Sequence, residues 1–117
     1  MKVIEIAEIL SAEIVCGEDK KELEIDSAFG SDMMSDVLAF VNDRAVLLSG
    51  LINAQVVRTA EMMDMPCIVF VRGKKPTAEM IELAKERGIV LITTELRMYE
   101  ACGKLYVAGL PARRIQG

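Results

Sequence analysis

The chain has 117 residues, of which 52% are hydrophobic, so it can bury one core but is too short for two independent ones. With 18 acidic and 14 basic residues the net charge is −4, and an acidic surface disfavours nucleic acid as a direct partner. The sequence contains no histidine, which removes the commonest general base and metal ligand, so we expect no metal site and no cofactor.

The three cysteines predict core packing rather than redox or metal chemistry. Cys16, Cys67 and Cys102 are far apart along the chain and each lies in an apolar stretch. An odd number of cysteines suits a reducing compartment. Neither a signal peptide nor an apolar run of about 18 residues is present, so we expect a cytoplasmic protein with no membrane partner.

The first third of the chain predicts a helix, two strands and a second helix. Apolar residues at helical spacing indicate a helix over 3–10, and the runs 12–16 and 23–29 are typical of strands that could form a hairpin or lie near each other. Ser31 or Asp32 can cap the next helix, because their side-chain oxygens accept unpaired amide hydrogens of its first turn. That helix is predicted to carry Met33, Met34, Val37, Leu38 and Val41.

From residue 45 onward a strand, a turn and an amphipathic helix repeat three times. The predicted strands are 45–48, 67–71 and 89–92, the predicted helices are 53–63, 77–87 and 95–105, and Gly88 is expected to end its helix in a left-handed conformation. Continuous apolar strands indicate a parallel sheet that is covered on both faces. We therefore expect a three-layer α/β domain over 1–110, with a mostly parallel sheet and helices on both faces, and a tail at 111–117 with no assigned role.

The loops that follow the predicted strands are the expected binding site. Ligands bind outside the carboxyl ends of parallel strands, where helix N-termini offer free amide hydrogens. The loops here supply hydroxyls, cations and an amide, which suit a small anion. The candidate residues are Ser31, Asp32, Ser49, Gly50, Asn53, Arg72, Gly73, Thr93 and Thr94.

A structural interpretation of these polar residues stays open, because Ser31, Asp32, Asn53, Thr77 and Thr94 are also the types that cap helices in any protein. A nucleotide enzyme is disfavoured. The Gly73-Lys74 pair lacks the preceding glycine and following Ser or Thr of a Walker A loop, and no G-x-G-x-x-G motif occurs. No pair of nucleophile and base is evident, so no enzymatic activity is expected.

The stretch from Cys67 to Pro76, followed by Ile81-Glu82-Leu83-Ala84 and Gly88-Ile89-Val90-Leu91-Ile92, resembles the DRTGG domain family and the related N-terminal domain of HPr kinase/phosphorylase. The resemblance covers most of the chain, although Gly50-Leu51-Ile52 and Val71-Arg72-Gly73 stand where the naming residues would be. It implies the fold grouped with MurF and HPr kinase N-terminal domains, used for regulation or assembly and not for catalysis.

Two functional hypotheses follow. In the first, the chain is a regulatory module that forms a homodimer and senses a small anionic metabolite or nucleotide at the strand ends. In the second, it is an assembly protein that docks onto a metabolic enzyme without a small ligand, which the eight methionines would suit because their side chains adapt to partner surfaces.

Overall fold

The structure, a computed structural model, describes residues 1–40 and 44–112. Five α-helices and five strands are present in this part of the chain, together with a short 3-10 helix at Glu18–Lys20. In chain order they are α1 (Val3–Ile9), β1 (Glu13–Cys16), β2 (Ser27–Gly30), α2 (Met34–Phe40), β3 (Ala45–Ser49), α3 (Ala54–Met62), β4 (Cys67–Phe70), α4 (Ala78–Arg87), β5 (Val90–Thr93) and α5 (Met98–Val107). Among these described helices none is both long and apolar enough to cross a bilayer.

The five strands form one sheet in the order β1-β5-β4-β3-β2. Strands β2 to β5 are parallel to one another, and β1 is antiparallel to β5. The expected pairing of the first two strands is wrong, because β1 and β2 lie at opposite edges. The segment between them is held by the N-terminus instead: the Val3 amide donates to the Leu23 carbonyl, and the Ile25 amide donates to the Met1 carbonyl.

Helices cover both faces of the sheet, which confirms the three-layer α/β prediction. Each of the helices α2, α3 and α4 connects a strand to its immediate neighbour in the sheet, always in the same direction along the sheet. Because such crossovers are right-handed, the three helices lie on one face. Val37, Val56 and Met80 from these three helices pack in one buried cluster. Val3 of α1 and Leu105 of α5 pack in a second cluster on the other face.

The central strands are buried on both sides, which explains their unbroken apolar runs. In β3, Leu47 packs in the first cluster and Leu48 in the second. Cys16 and Cys67 are also buried in these clusters, and burial raises the pKa of both thiols, so they stay protonated at neutral pH. The prediction that these two cysteines pack in the core is confirmed.

Two terminal segments differ from the sequence prediction. The last helix begins at Met98 and not at Glu95, because the Thr94 hydroxyl accepts from the Leu96 amide and holds a turn there. Leu110 is buried, the Pro111 carbonyl accepts from the Ala28 amide, and Ala112 bridges to Ala28 at the edge of β2. The predicted tail therefore begins with two residues that lie along the sheet. Its residues 113–117 are outside the described part, and so is Val41, which was predicted to belong to the second helix.

Candidate ligand-binding site

The candidate site lies at the edge of the sheet where the four parallel strands end. The registers pair Gly30 with Leu48, Ser49 with Phe70, and Phe70 with Thr93, so these ends are level. The loops that were predicted separately therefore share one end of the molecule.

Asp32 joins two of these loops. Its Oδ1 accepts from the Ser49 hydroxyl at 3.0 Å and from the Gly50 amide at 2.6 Å, and its Oδ2 lies 3.6 Å from Nη2 of Arg72. Asp32 thus does not cap α2 as predicted, because its carboxylate reaches the end of the neighbouring strand. Ser31 makes only a local turn, in which its hydroxyl accepts from the Met33 amide at 2.9 Å.

Gly50 provides the space that the Arg72 side chain occupies. Gly50 is buried, and a Cβ at this position would collide with the Arg72 guanidinium. The guanidinium therefore lies against the backbone of the β3 loop, with Asp32 on one side of it.

The turn after β4 brings the third and fourth loops together. Arg72 and Gly73 both have left-handed backbone angles, with φ of 61° and 68°. This conformation is uncommon for a residue with a side chain. It lets the Arg72 amide donate to the Leu96 carbonyl at 2.7 Å and the Gly73 amide donate to the Thr94 carbonyl at 2.9 Å. The Arg72 turn is thus tied to the segment that leads into α5.

Three other candidates are engaged in structural hydrogen bonds. Asn53 caps α3 by accepting from the Val56 amide at 3.3 Å. The Thr93 hydroxyl donates to the Lys74 carbonyl at 3.0 Å, and the buried Thr94 hydroxyl donates to the Leu10 carbonyl at 2.9 Å. Of the expected caps, Asn53 and Thr77 both perform that role.

An open cleft of about 820 Å³ lies beside the Arg72 turn. It is lined by Arg72, Lys74, Glu95, Arg97, Met98 and Tyr99. Among the described residues, neither Lys74 nor Arg97 forms an ion pair, and Tyr99 is 92% exposed. Cationic side chains converging on an open cleft can hold a phosphate or carboxylate, and an exposed aromatic ring can stack on a planar group.

Arg97 and Tyr99 are absent from the site residues predicted from the sequence, because the last helix was predicted to begin at Glu95. With that start, Arg97 falls inside the helix, whereas the structure places it at the N-cap of α5. The threonines before Glu95 are the sequence signal that the helix begins later. A threonine hydroxyl often accepts from the amide two residues on and forms a local turn, as Thr94 does with Leu96.

Comparisons with known proteins agree with this architecture. The family model of the DRTGG domain matches residues 5–106. The fold is similar to a crystal structure of the CBS and DRTGG domains of the regulatory region of Clostridium perfringens pyrophosphatase, complexed with its activator diadenosine tetraphosphate. The TM-score is 0.75 at 24% identity, over 99% of this chain and 50% of that one.

This chain therefore spans about half the length of that regulatory region. No curated protein matches the chain. The resemblance to the N-terminal domain of HPr kinase/phosphorylase stays a prediction. Because the DRTGG model runs from within α1 to within α5 and includes all five strands, the chain belongs to the DRTGG domain family.

Proposed function

We propose that this domain is a non-catalytic regulatory module that binds a small anionic metabolite or a nucleotide in the cleft beside Arg72. The observation that carries the proposal is that three cations, Arg72, Lys74 and Arg97, line one open cleft against one carboxylate, Glu95, in a chain whose net charge is −4. A local cluster of cations on an acidic protein attracts a small anion, whereas the overall charge repels a long polyanion.

A nucleotide is the ligand class that the cleft suits best. The cations can contact phosphate oxygens, and the exposed Tyr99 ring offers a face for a base. The similar regulatory region binds diadenosine tetraphosphate, an activator that combines both kinds of group. This likeness supports binding and regulation as the role of the domain, with an enzyme as the regulated partner.

Asp32 supports binding over catalysis. A catalytic base needs a carboxylate oxygen that is free to take a proton from a substrate. Both oxygens of Asp32 already face groups of the protein, the Ser49 hydroxyl and Gly50 amide on one side and Arg72 on the other. Asp32 is better suited to orient Arg72 than to react.

Isothermal titration calorimetry tests the proposal. We expect the wild-type chain to bind adenosine phosphates and diadenosine tetraphosphate, and to bind adenosine, which lacks phosphate, much more weakly. Lys74→Gln and Arg97→Gln should each weaken binding of the phosphorylated ligands by about tenfold or more, since a hydrogen bond to a charged group contributes about 1.5–3 kcal/mol.

Lys85→Gln is the matched control for these variants. Lys85 is an exposed cation in the last turn of α4, outside the cleft, so its removal changes the net charge equally and should leave affinity unchanged. The proposed site would be wrong if none of the phosphorylated ligands bound to the wild-type chain. It would also be wrong if Lys74→Gln, Arg97→Gln and Lys85→Gln all bound these ligands with equal affinity. Self-association stays a prediction.

A further inference from the structure

One carboxylate, that of Glu95, is among the side chains that line the cleft beside the Arg72 turn. It is exposed and forms no ion pair within residues 1–40 and 44–112, although Arg72, Lys74 and Arg97 line the same cleft. A carboxylate repels phosphate, and it accepts hydrogen bonds but donates none. An anion that binds in the cleft therefore gains from Glu95 only if it also carries a hydrogen-bond donor or a bound cation.

The backbone on both sides of Glu95 is fixed to the Arg72 turn. The Thr94 carbonyl accepts from the Gly73 amide, and the Leu96 carbonyl accepts from the Arg72 amide. The Glu95 carboxylate lies over Gly73, where a Cβ would be only 2.5 Å from its Oε2. The absence of a side chain at Gly73 thus provides the space that the carboxylate occupies. Glu95 is held beside the cations of this turn before any ligand binds.

Three groups of a nucleotide can face a carboxylate: a divalent cation on its phosphates, an amino group of its base, and the hydroxyls of its ribose. A divalent cation is disfavoured, because cations outnumber the carboxylate on the cleft lining and the described residues contain no cluster of metal-ligating side chains. The base is assigned to Tyr99 in the first turn of α5, whereas the Glu95 carboxylate lies beside the phosphate-binding turn. Because the ribose joins the phosphates to the base, its hydroxyls are the donors that match this position.

We propose that Glu95 determines the ligand class of the cleft by accepting hydrogen bonds from the two ribose hydroxyls of a ribonucleotide. This inference rests on the proposed function, since it assigns the phosphates to the cations of the same cleft. The two oxygens of a carboxylate can accept from both hydroxyls of a ribose, and these charge-assisted bonds are strong. A phosphorylated ligand without the hydroxyls meets the negative charge of Glu95 with nothing to compensate for it. Glu95 therefore selects both for ribonucleotides and against other phosphates.

Calorimetric titration of the full chain with two probes tests this inference. The probes are adenosine triphosphate and its dideoxy analogue, which lacks both ribose hydroxyls, and EDTA is present to remove divalent cations. The wild-type chain should bind the ribonucleotide at least about tenfold more tightly, as expected for hydrogen bonds to a charged group. Glu95→Ala should bind the two probes equally. It should also bind the dideoxy probe more tightly than the wild-type chain does, because a repulsive charge has been removed.

Two further variants separate the hydrogen bonds of Glu95 from the effect of its charge. Glu95→Gln keeps the size of the side chain and one acceptor oxygen, so it should retain a smaller preference for the ribonucleotide. The reason is that hydrogen bonds between neutral groups are about half as strong as charge-assisted ones. Glu79→Ala is the matched control, because it removes an exposed carboxylate in the first turn of α4, outside the cleft. It should keep the full wild-type preference.

The possible failures of this inference and of the proposed function differ. If the wild-type chain bound both triphosphates with equal affinity, the role of Glu95 would be wrong and the anion cleft would stand. The role would also be wrong if Glu95→Ala kept the preference, or if the preference appeared only after magnesium replaced EDTA, since the carboxylate would then face a metal ion. If neither triphosphate bound to the wild-type chain, the proposed function itself would be wrong.

Discussion

Arg72 is the residue through which the ends of three parallel strands are connected. Its amide donates to the Leu96 carbonyl in the segment after β5. Its guanidinium lies against Gly50, which follows β3, and its Nη2 is 3.6 Å from Oδ2 of Asp32, which follows β2. The side chains of Arg72 and Asp32 are 47% and 46% exposed, so the ion pair itself adds little stability. Its effect is to orient the guanidinium and to neutralise part of its charge.

Substitution of Asp32 should therefore strengthen anion binding. Asp32→Asn keeps an oxygen that can accept from Ser49 and Gly50 but removes the charge beside Arg72. An exposed ion pair contributes about 0.2–1 kcal/mol, so we expect affinity for a nucleoside triphosphate to rise by up to about fivefold. Calorimetric titration at constant ionic strength measures this change.

The control for this substitution is Asp26→Asn, which removes an equal charge where Asp26 pairs with Arg44, before β2 begins. It should leave the affinity near the wild-type value. If Asp32→Asn weakened binding, the carboxylate would act mainly by holding the loops in place, and the neutralising role assigned to it would be wrong.

The candidate site was only partly predictable at the level of residues. The strand-end loops could be located from their position after apolar runs, and the caps Asn53 and Thr77 follow from local residue preferences. The hydrogen bonds of Asp32 could not be predicted, because its partners Ser49 and Gly50 become its neighbours only through the order of strands in the sheet. The residue type of Asp32 favours a helix cap, but in the structure its carboxylate makes a contact between two loops instead.

Helix α4 shows how a single glycine defines the end of an element. Gly88 has φ of 70°, its amide donates to the Lys85 carbonyl, and its own carbonyl accepts from Nζ of Lys20 at 2.8 Å. The left-handed angle turns the chain from α4 into β5. This stop signal was visible in the sequence, and the predicted end at Arg87 is confirmed.

Gly88→Ala should destabilise the domain through the backbone. A left-handed angle costs a residue with a Cβ about 1–2 kcal/mol, and we expect a loss of that size in the free energy of unfolding. Gly88→Asn introduces the same contact with the end of the Lys20 side chain, but asparagine tolerates this angle better.

Urea denaturation of the two variants measures this difference. Asparagine should lower the midpoint less than alanine does. Equal losses in both variants would assign the effect to crowding of Lys20 and not to the backbone angle.

The sequence predicts which segments are helices and strands better than it predicts which strands pair with each other. The three strand–helix repeats were found within a few residues, because their periodicity extends over whole elements. The position of β1 was not found, since a short strand of four residues carries no information about its partner. It pairs antiparallel with β5 at the far edge, and the segment that leads to β2 bonds to the first residues of α1.

For the whole molecule, the sheet is a shared boundary between two buried clusters. Adjacent residues of β3 point to opposite faces, so Leu47 and Leu48 are equally buried but pack against different helices. Because β3, β4 and β5 contribute to both clusters, neither helical layer can lose its packing without weakening the strands that support the other. The domain should unfold as one cooperative unit.

Leu47→Ala and Leu48→Ala test this coupling with the same chemical change on the two faces. Each should lower the free energy of unfolding by about 2–5 kcal/mol, because a buried leucine side chain is replaced by a cavity. Hydrogen exchange should show lost protection in α3 and α4 and in α1 and α5 alike, whichever leucine is changed, and circular dichroism should show one transition. Loss confined to α3 and α4 in Leu47→Ala, or to α1 and α5 in Leu48→Ala, would show that the two layers open independently and that the sheet does not couple them.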